Sequence, residues 1–143
     1  MVEMRVVLDT NVIVAAFRSR RGASNRIVRM TFQRKLFPVC STALFLEYEA
    51  VLSRDTTRRI TGHGPTEIKT IMDAFAAIAE PVELSFRMRP MLGDSADEMV
   101  LEAAFNAGSV PIVTHNVRDF EPARRLGVEV FRPGELLRRL DDE

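Results

Sequence analysis

Short apolar runs separated by polar turns predict that the chain begins with a strand followed by two helices. Met4–Leu8 is apolar and β-branched, as in a buried strand. Asp9-Thr10-Asn11 follows as a turn and helix cap before the apolar run Val12–Phe17. The next segment, from Arg18 to Lys35, contains apolar residues at helical spacing among basic ones, which predicts an amphipathic helix.

The same reasoning predicts alternating strands and helices along the rest of the chain. The expected elements are a strand at 36–40, a helix from 41 to about 53, a helix at 66–79, a strand at 82–86, a loop at 89–93, a helix opened by the capping box Ser95–Glu98 and ended at Gly108, a strand at 111–114, a short helix at 121–126, a strand at 128–131 and a helix from Pro133. Strands that alternate with helices favour right-handed crossovers and a parallel sheet. We therefore predict an α/β fold, a three-layer α/β/α sandwich with a mainly parallel central sheet of about five strands, forming one domain over residues 1–143.

Composition narrows the classes of protein that fit. The length of 143 residues suits one domain. The apolar runs reach only about six residues, whereas a membrane helix needs about 20. With no apolar segment typical of a signal peptide near the start, the expected location is the cytoplasm. One cysteine and two histidines exclude an internal disulfide and a structural zinc site.

Acidic and amide side chains follow the predicted strands, where parallel sheets bind their ligands. Asp9 follows the first strand, Asp94 and Asp97 precede or open a helix, and Asn116 and Asp119 follow the fourth strand. Two carboxylates about 4 Å apart repel by roughly 4 kcal/mol at an effective dielectric of 20. A divalent cation such as Mg²⁺ or Mn²⁺ would offset this repulsion, and it serves phosphodiester hydrolysis. Each acid could also be only a helix cap or a first-turn acid.

The third predicted helix offers two further acids that periodicity does not separate. Glu47 and Glu49 each lie about 100° from the centre of the apolar stripe. Glu47 is about 3 Å closer to the end of the strand and is therefore favoured.

The segment from Arg18 to Lys35 contains no acidic residue. Arg20, Arg21 and Arg26 are therefore candidates for contacts with phosphate groups. The alternative is that these side chains form a solvated cationic helix face. The formal net charge of the chain is zero and gives no electrostatic argument for a nucleic-acid partner.

Four segments, taken in order, resemble the PIN domain, in particular short bacterial toxins of toxin–antitoxin modules related to VapC-type ribonucleases. The segments are VVLDTNVIVAAF, STALFLEYEAVL, GDSADEMVLEAAFNAG and PIVTHNVRDF. The resemblance implies a metal-dependent endoribonuclease that hydrolyses single-stranded RNA with Mg²⁺ or Mn²⁺. It also implies a homodimer and a small antitoxin partner.

The resemblance also assigns roles to individual residues. It implies that Asp9, Glu47 and Asp97 hold the cation and act in catalysis. The residues that would orient these carboxylates or a water molecule are Thr10, Asn11, Asp94 and Thr114.

The chain departs from the family after the fourth strand, where it reads Thr114-His115-Asn116 instead of threonine-glycine-aspartate. Either Asn116 coordinates through its carbonyl oxygen, or Asp119 supplies the fourth acid. The missing charge also makes a second function conceivable, a non-catalytic RNA-binding PIN module with a degenerate metal site. An aspartyl-phosphate domain fits less well, because no acid stands two positions after Asp9 and no lysine ends the fourth strand.

Overall fold

A computed structural model of the chain describes residues 3–86 and 92–142, and it confirms the predicted fold class. The described residues form a five-stranded, all-parallel sheet with helices around it. The strands are β1 (Arg5–Leu8), β2 (Phe37–Cys40), β3 (Glu80–Pro81), β4 (Ile112–Val113) and β5 (Val130–Phe131). The helices are α1 (Thr10–Arg18), α2 (Ala23–Phe32), α3 (Thr42–Leu52), α4 (Asp55–Thr61), α5 (Pro65–Ile78), α6 (Ser95–Asn106), α7 (Glu121–Arg125) and α8 (Pro133–Asp141), with a 3₁₀ helix at Val117–Phe120.

The strand order is β3-β2-β1-β4-β5, so β1 lies at the centre of the sheet. Val6 of β1 pairs with Pro38 of β2, and Leu8 pairs with Val113 of β4. The chain builds outward from β1 to β3 and then returns to add β4 and β5 on the other side. The sheet therefore has a topological switch point between β1 and β4, and the crevice outside the ends of these strands is where such folds bind ligands.

The reversal of direction places helices on both faces of the sheet. Because parallel crossovers are right-handed, the helices between β1 and β3 cover one face, and α6 covers the other. Helix α6 packs against β1, β2 and β4, whereas α2 packs against α1, α5 and α8. The fold is thus the predicted three-layer sandwich.

The core explains why β1 is so apolar. Val6, Val7 and Leu8 are all fully buried, as expected for a central strand covered on both faces. Tyr48 is also buried, and its ring packs edge-to-face on Phe75. Its hydroxyl donates a hydrogen bond to the carbonyl of Leu8. This bond satisfies the backbone at the end of β1, directly before Asp9.

The prediction of the third strand at 82–86 is wrong, because β3 is Glu80–Pro81. The expected strand began after Pro81. In the structure Pro81 itself belongs to β3, at the edge of the sheet, where a proline costs no ladder hydrogen bond. The pairing with β2 continues through the N–H of Val82, which donates to the carbonyl of Cys40 over 3.1 Å.

Two local details of the helices also differ from prediction. The sequence reasoning did not predict α4, a helix of seven residues too short for a clear apolar period. The residue that caps α6 is Asp94, not Ser95: Asp94 Oδ1 accepts from the N–H groups of Ala96 and Asp97. Glu98, the other half of the predicted capping box, accepts from the N–H of Leu92 instead.

Residues 89–91 of the predicted loop at 89–93 lie outside the described residues. None of the helices in the described parts of the chain is both long and apolar enough to cross a membrane.

Candidate functional site

A cavity of about 600 Å³ opens at the switch point, beyond the carboxyl ends of β1 and β4. Asp9, Asp94 and Asp97 form its acidic end. Residues of α1, α3 and α4, among them Glu47, line the rest of the cavity. The full lining is Asp9, Thr10, Asn11, Val14, Ala15, Arg18, Glu47, Val51, Arg54, Thr57, Ile60, Asp94, Ala96, Asp97, His115 and Asn116. The structure therefore brings residues from five separate segments of the chain into one cavity.

Asp9 is the most buried acid of this cavity, with only 5% of its surface exposed. Its Oδ1 accepts from the N–H of Thr10, and its Oδ2 accepts from Thr114 Oγ1, each over 2.7 Å. Burial raises the pKa of Asp9, while the bonds from Thr114 and Thr10 act in the opposite direction. Asp9 is the cap of α1, as the sequence predicted, and its second oxygen is fixed by the neighbouring strand.

The segment after β4 is tied to the rest of the site by hydrogen bonds from three successive residues. Thr114 is fully buried and bonds to Asp9. The N–H of His115 donates to Asn11 Oδ1 over 3.3 Å, and the N–H of Asn116 donates to Thr114 Oγ1 over 3.0 Å. The His115 ring nitrogen Nε2 shares a hydrogen bond of 2.7 Å with Ser24 Oγ. The position of the segment is thus set by α1 and α2.

The four residues that were expected to orient the carboxylates all form hydrogen bonds at the site. Asp94 caps α6, and the other three are Thr10, Asn11 and Thr114. Thr114 contacts Asp9 directly, and Asn11 holds the backbone of the segment after β4. Thr10 supplies its N–H to Asp9, while its buried hydroxyl has no hydrogen-bond partner among the described residues.

Asp97 lies in the first turn of α6, where the sequence placed it, and faces the cavity. Its pKa is raised to about 6, first by burial and then by the charges of Asp9, Asp94 and Asp119. Burial disfavours the charged form of the carboxyl group, and the nearby carboxylates disfavour it further. Asp97 is therefore the clearest sign that the acids are crowded together.

The structure separates the two glutamates that periodicity left open. Glu47 lines the cavity together with Val51, one turn further along α3. Glu49 is exposed and does not line it. The preference for Glu47 as the acid nearer the site agrees with this geometry.

Asn116 and Asp119 also occupy different places. Asn116 lines the cavity, whereas Asp119 lies in the 3₁₀ helix outside the lining. Asp119 is nevertheless close enough to raise the pKa of Asp97. The geometry places Asn116 in the cavity and leaves Asp119 as a nearby charge.

The donor set fits a hard divalent cation. Within residues 3–86 and 92–142, no three Asp, Glu, His or Cys side chains are grouped closely enough to chelate one ion by themselves. Mg²⁺ does not need three protein ligands, because it usually takes one or two carboxylates and completes its shell with water and substrate phosphate. Asp9 and Asp97, whose charges act on each other, are the pair that meets this requirement.

The predicted phosphate contacts lie outside the cavity. Arg20, Arg21 and Arg26 are exposed, none of them lines the cavity, and Arg26 forms a long ion pair with Asp141. Arg18 and Arg54 line it instead.

A sequence signal was available for Arg18 alone. Arg18 follows Asn11 by seven residues, a spacing of about two helical turns that keeps both on one face of α1. Arg54 lies beyond the end of α3, so helical spacing does not predict its position.

Comparison with solved structures finds the same fold in several proteins. One is FitAB bound to an IR36 DNA fragment (TM-score 0.59, 17% identity, covering 90% of this chain and 94% of that chain). A second is VapBC2 from Rickettsia felis bound to a DNA fragment from their promoter (TM-score 0.59, 14% identity, 89% and 97%). A third is FitAcB from Neisseria gonorrhoeae (TM-score 0.51, 18% identity, 90% and 97%). At these identities the likeness establishes the fold.

Comparison with curated proteins finds no match. The family model of the PIN domain matches residues 5–118, which include β1 through β4 and every acid of the cavity. This match confirms the resemblance inferred from the sequence. The chain belongs to the PIN-domain family.

Proposed function

We propose that the protein is a divalent-metal-dependent endoribonuclease that hydrolyses single-stranded RNA, and that it is the toxin of a toxin–antitoxin module. The observation that carries this proposal is the convergence of Asp9 and Asp97 in one cavity at the switch point of the sheet, where burial and then the neighbouring carboxylates raise the pKa of Asp97 to about 6. Membership of the PIN-domain family adds the reaction class, because PIN domains are generally nucleases.

Asp9 and Asp97 would hold the cation directly. Glu47 and Asn116, which line the same cavity, and the nearby Asp119 are the candidates to complete its shell together with water. A bound Mg²⁺ or Mn²⁺ ion supplies an activated water molecule and neutralises charge on the phosphoryl group. The chain's own contribution is to fix the acids. Thr114 and the N–H of Thr10 hold both oxygens of Asp9, and Asp94 holds the start of α6 so that Asp97 faces the cavity.

The cavity also offers separate regions for the substrate. Its acidic end suits the scissile phosphate with its cation, whereas Arg18 and Arg54 can bind neighbouring phosphates. Val14, Val51 and Ile60 provide apolar surface between them, and Ile60 is 52% exposed. Arg20, Arg21 and Arg26 would extend this cationic surface outside the cavity.

We also propose a small antitoxin as a protein partner, assembly as a homodimer and action in the cytoplasm. The family resemblance supports these proposals, as does the shared fold with the FitAB and VapBC2 structures, both of which were solved bound to DNA. Copurification with the product of the neighbouring gene, followed by measurement of RNA cleavage with and without it, tests the antitoxin partner.

The central test is cleavage of single-stranded RNA by the purified protein with Mg²⁺ or Mn²⁺. We expect Asp9→Asn and Asp97→Asn each to lower the rate by at least about 100-fold, because each removes a charge that holds the cation. Glu49→Gln is the matched control, since it removes one carboxylate from α3 outside the cavity and should keep the wild-type rate. Wild-type cleavage by either aspartate variant would disprove the assignment.

The second candidate is a non-catalytic RNA-binding module with a degenerate metal site. Asn116 favours it, because it stands where related chains have an acid and so lowers the charge of the cavity. Binding of RNA in chelator, together with no cleavage and no rise in melting temperature on adding Mg²⁺ or Mn²⁺, would support this candidate over the nuclease.

A further inference from the structure

A second cavity has a volume of about 610 Å³. It is formed at the end of α4 and the start of α5. Its lining is Asp55, Arg58, Arg59, Gly62, His63, Gly64 and Glu67. None of these residues belongs to the acidic cavity, so the two cavities share only the helix between them.

The two arginines of this second cavity are not in direct contact with its two acids. Within residues 3–86 and 92–142, neither Arg58 nor Arg59 forms an ion pair. Asp55 lies in the first turn of α4 and Glu67 in the first turn of α5, where helix dipoles stabilise a negative charge. The Glu67 carboxylate turns back toward Gly64, 3.4 Å from where a Cβ on that glycine would stand.

The wall of the cavity is held by several contacts at His63. Arg58 Nε donates to the carbonyl of His63 over 3.1 Å, and the N–H of His63 donates to Thr61 Oγ1 over 3.2 Å. The imidazole ring packs edge-on against Phe17, with ring centroids 5.3 Å apart. The arginines therefore project from a fixed turn, which lowers the entropy lost when they bind a ligand.

Helix α4 connects the two cavities through its arginines. Arg54, directly before α4, lines the acidic cavity, and Arg58, four residues later, lines the second. Residues four apart on a helix are neighbours on its surface, about 6 Å apart along the axis. A cationic row thus runs from the acidic cavity over α4 into the second cavity.

We propose that the second cavity binds phosphates of the same RNA strand that enters the acidic cavity. This inference rests on the proposed function and deepens it. The substrate is a single strand long enough to pass over α4, with Arg54 and Arg58 holding successive phosphates and Arg59 the next part of the backbone. These contacts are independent of sequence, because arginines on phosphates do not read bases.

The test compares two RNAs in chelator, so that binding is measured without cleavage. One has about 4 nucleotides and the other about 16, the limits of typical single-strand site sizes. The variants are Arg58→Ser with Arg59→Ser, and Arg59→Ser alone, which leaves the bond from Arg58 to His63 in place. The control is Arg125→Ser with Arg138→Ser, which removes the same charge from exposed positions on α7 and α8.

For the long RNA, the slope of log K against log salt should fall by about 0.7 for Arg59→Ser and by about 1.4 for the double variant, the single-strand value per lost contact. Binding of the short RNA and of the control variant should match wild type. An unchanged slope with the long RNA, or an equal loss with both RNAs, would overturn the inference while leaving the proposed function standing.

Three other outcomes separate this inference from its alternatives. If a glutamate-rich peptide binds wild type and fails to bind the double variant, while RNA binding is unchanged, the cavity takes an acidic protein segment and the inference is wrong. If the wild-type protein binds neither RNA, both this inference and the proposed function are wrong. If wild type binds the long RNA as expected here yet never cleaves it, only the catalytic part of the proposed function fails.

Discussion

Asp9 and Thr114 are separated by 105 residues of sequence and share a buried hydrogen bond of 2.7 Å. Thr114→Val keeps the shape of the side chain and removes the donor. We expect a loss of about 1.5–3 kcal/mol in the free energy of unfolding, because a hydrogen bond to a buried charged group is lost. The pKa of Asp9 should rise further. Urea denaturation at pH 7 measures the first effect.

Thr114→Ser is the control for this prediction, since it retains the hydroxyl. It should keep most of the stability and the cleavage activity that Thr114→Val loses. Equal stability of the valine and serine variants would show that the bond contributes little.

Asp97 makes stability depend on pH. Its pKa is about 6 in the folded chain against an ordinary 3.8, so the folded state retains the proton that the unfolded state has already released. The free energy of unfolding of the metal-free protein should therefore fall as the pH rises from about 4 to about 6. Because Asp97 is partly exposed, we expect the loss to be about 1 kcal/mol after solvent screening.

Asp97→Asn should lack this part of the pH dependence. Denaturation of both proteins in chelator across this pH range, with the variant subtracted from wild type, isolates the contribution of Asp97. Parallel pH profiles for the two proteins would contradict the raised pKa.

Asn116 and Asp119 can be distinguished by metal titration. Asn116 lines the cavity, so Asn116→Asp should add a further carboxylate and lower the concentration of Mg²⁺ or Mn²⁺ needed for half-maximal cleavage. Asp119→Asn should change that concentration little. If instead Asp119→Asn weakens metal binding and Asn116→Asp does not improve it, then Asp119 is the ligand. No effect from either substitution would place both residues outside the metal site.

At the scale of elements, the end of α1 and the start of α4 each place one arginine in the lining of the cavity, Arg18 and Arg54, whereas Arg20 and Arg21 lie outside it. Arg18→Ser with Arg54→Ser should lower the salt dependence of RNA binding by about 1.4, at about 0.7 for each lost phosphate contact. Replacing Arg20 and Arg21 removes the same charge from exposed positions between α1 and α2. Fluorescence anisotropy over a range of salt concentrations measures both slopes. A larger effect from the exposed pair would show that the RNA follows α2 instead.

The elements that sequence reasoning predicted well are those with strong local signals. Ser41 caps α3 through the N–H of Leu44, and Asp9 caps α1, because short polar side chains before an apolar run satisfy the free N–H groups there. The strand β3 was misplaced because Pro81 was taken as the end of the preceding helix, whereas in an edge strand a proline can itself belong to the sheet. Helix α4 was missed because seven residues give too few positions to establish a period.

At the scale of the whole molecule, the acids of the site were predictable and their partners were not. Asp9 follows a strand and Asp97 opens a helix, so the parallel topology brings both to one edge of the sheet. Glu47 lies within α3 and was favoured over Glu49 only because it is nearer the end of the strand. The bonds from Thr114 to Asp9 and from Ser24 to His115 join distant segments, and no local pattern encodes them. The second cavity was equally hidden, because it depends on how α4 meets α5.

The central position of β1 has a consequence during synthesis of the protein. Asp9 leaves the ribosome long before Thr114, the residue that holds its carboxylate, and before β4, which completes one side of β1. A nascent chain that has not yet exposed residue 114 has neither this bond nor the crevice between β1 and β4. The enzyme that we propose would therefore stay inactive beside its own messenger RNA until most of the domain had been translated.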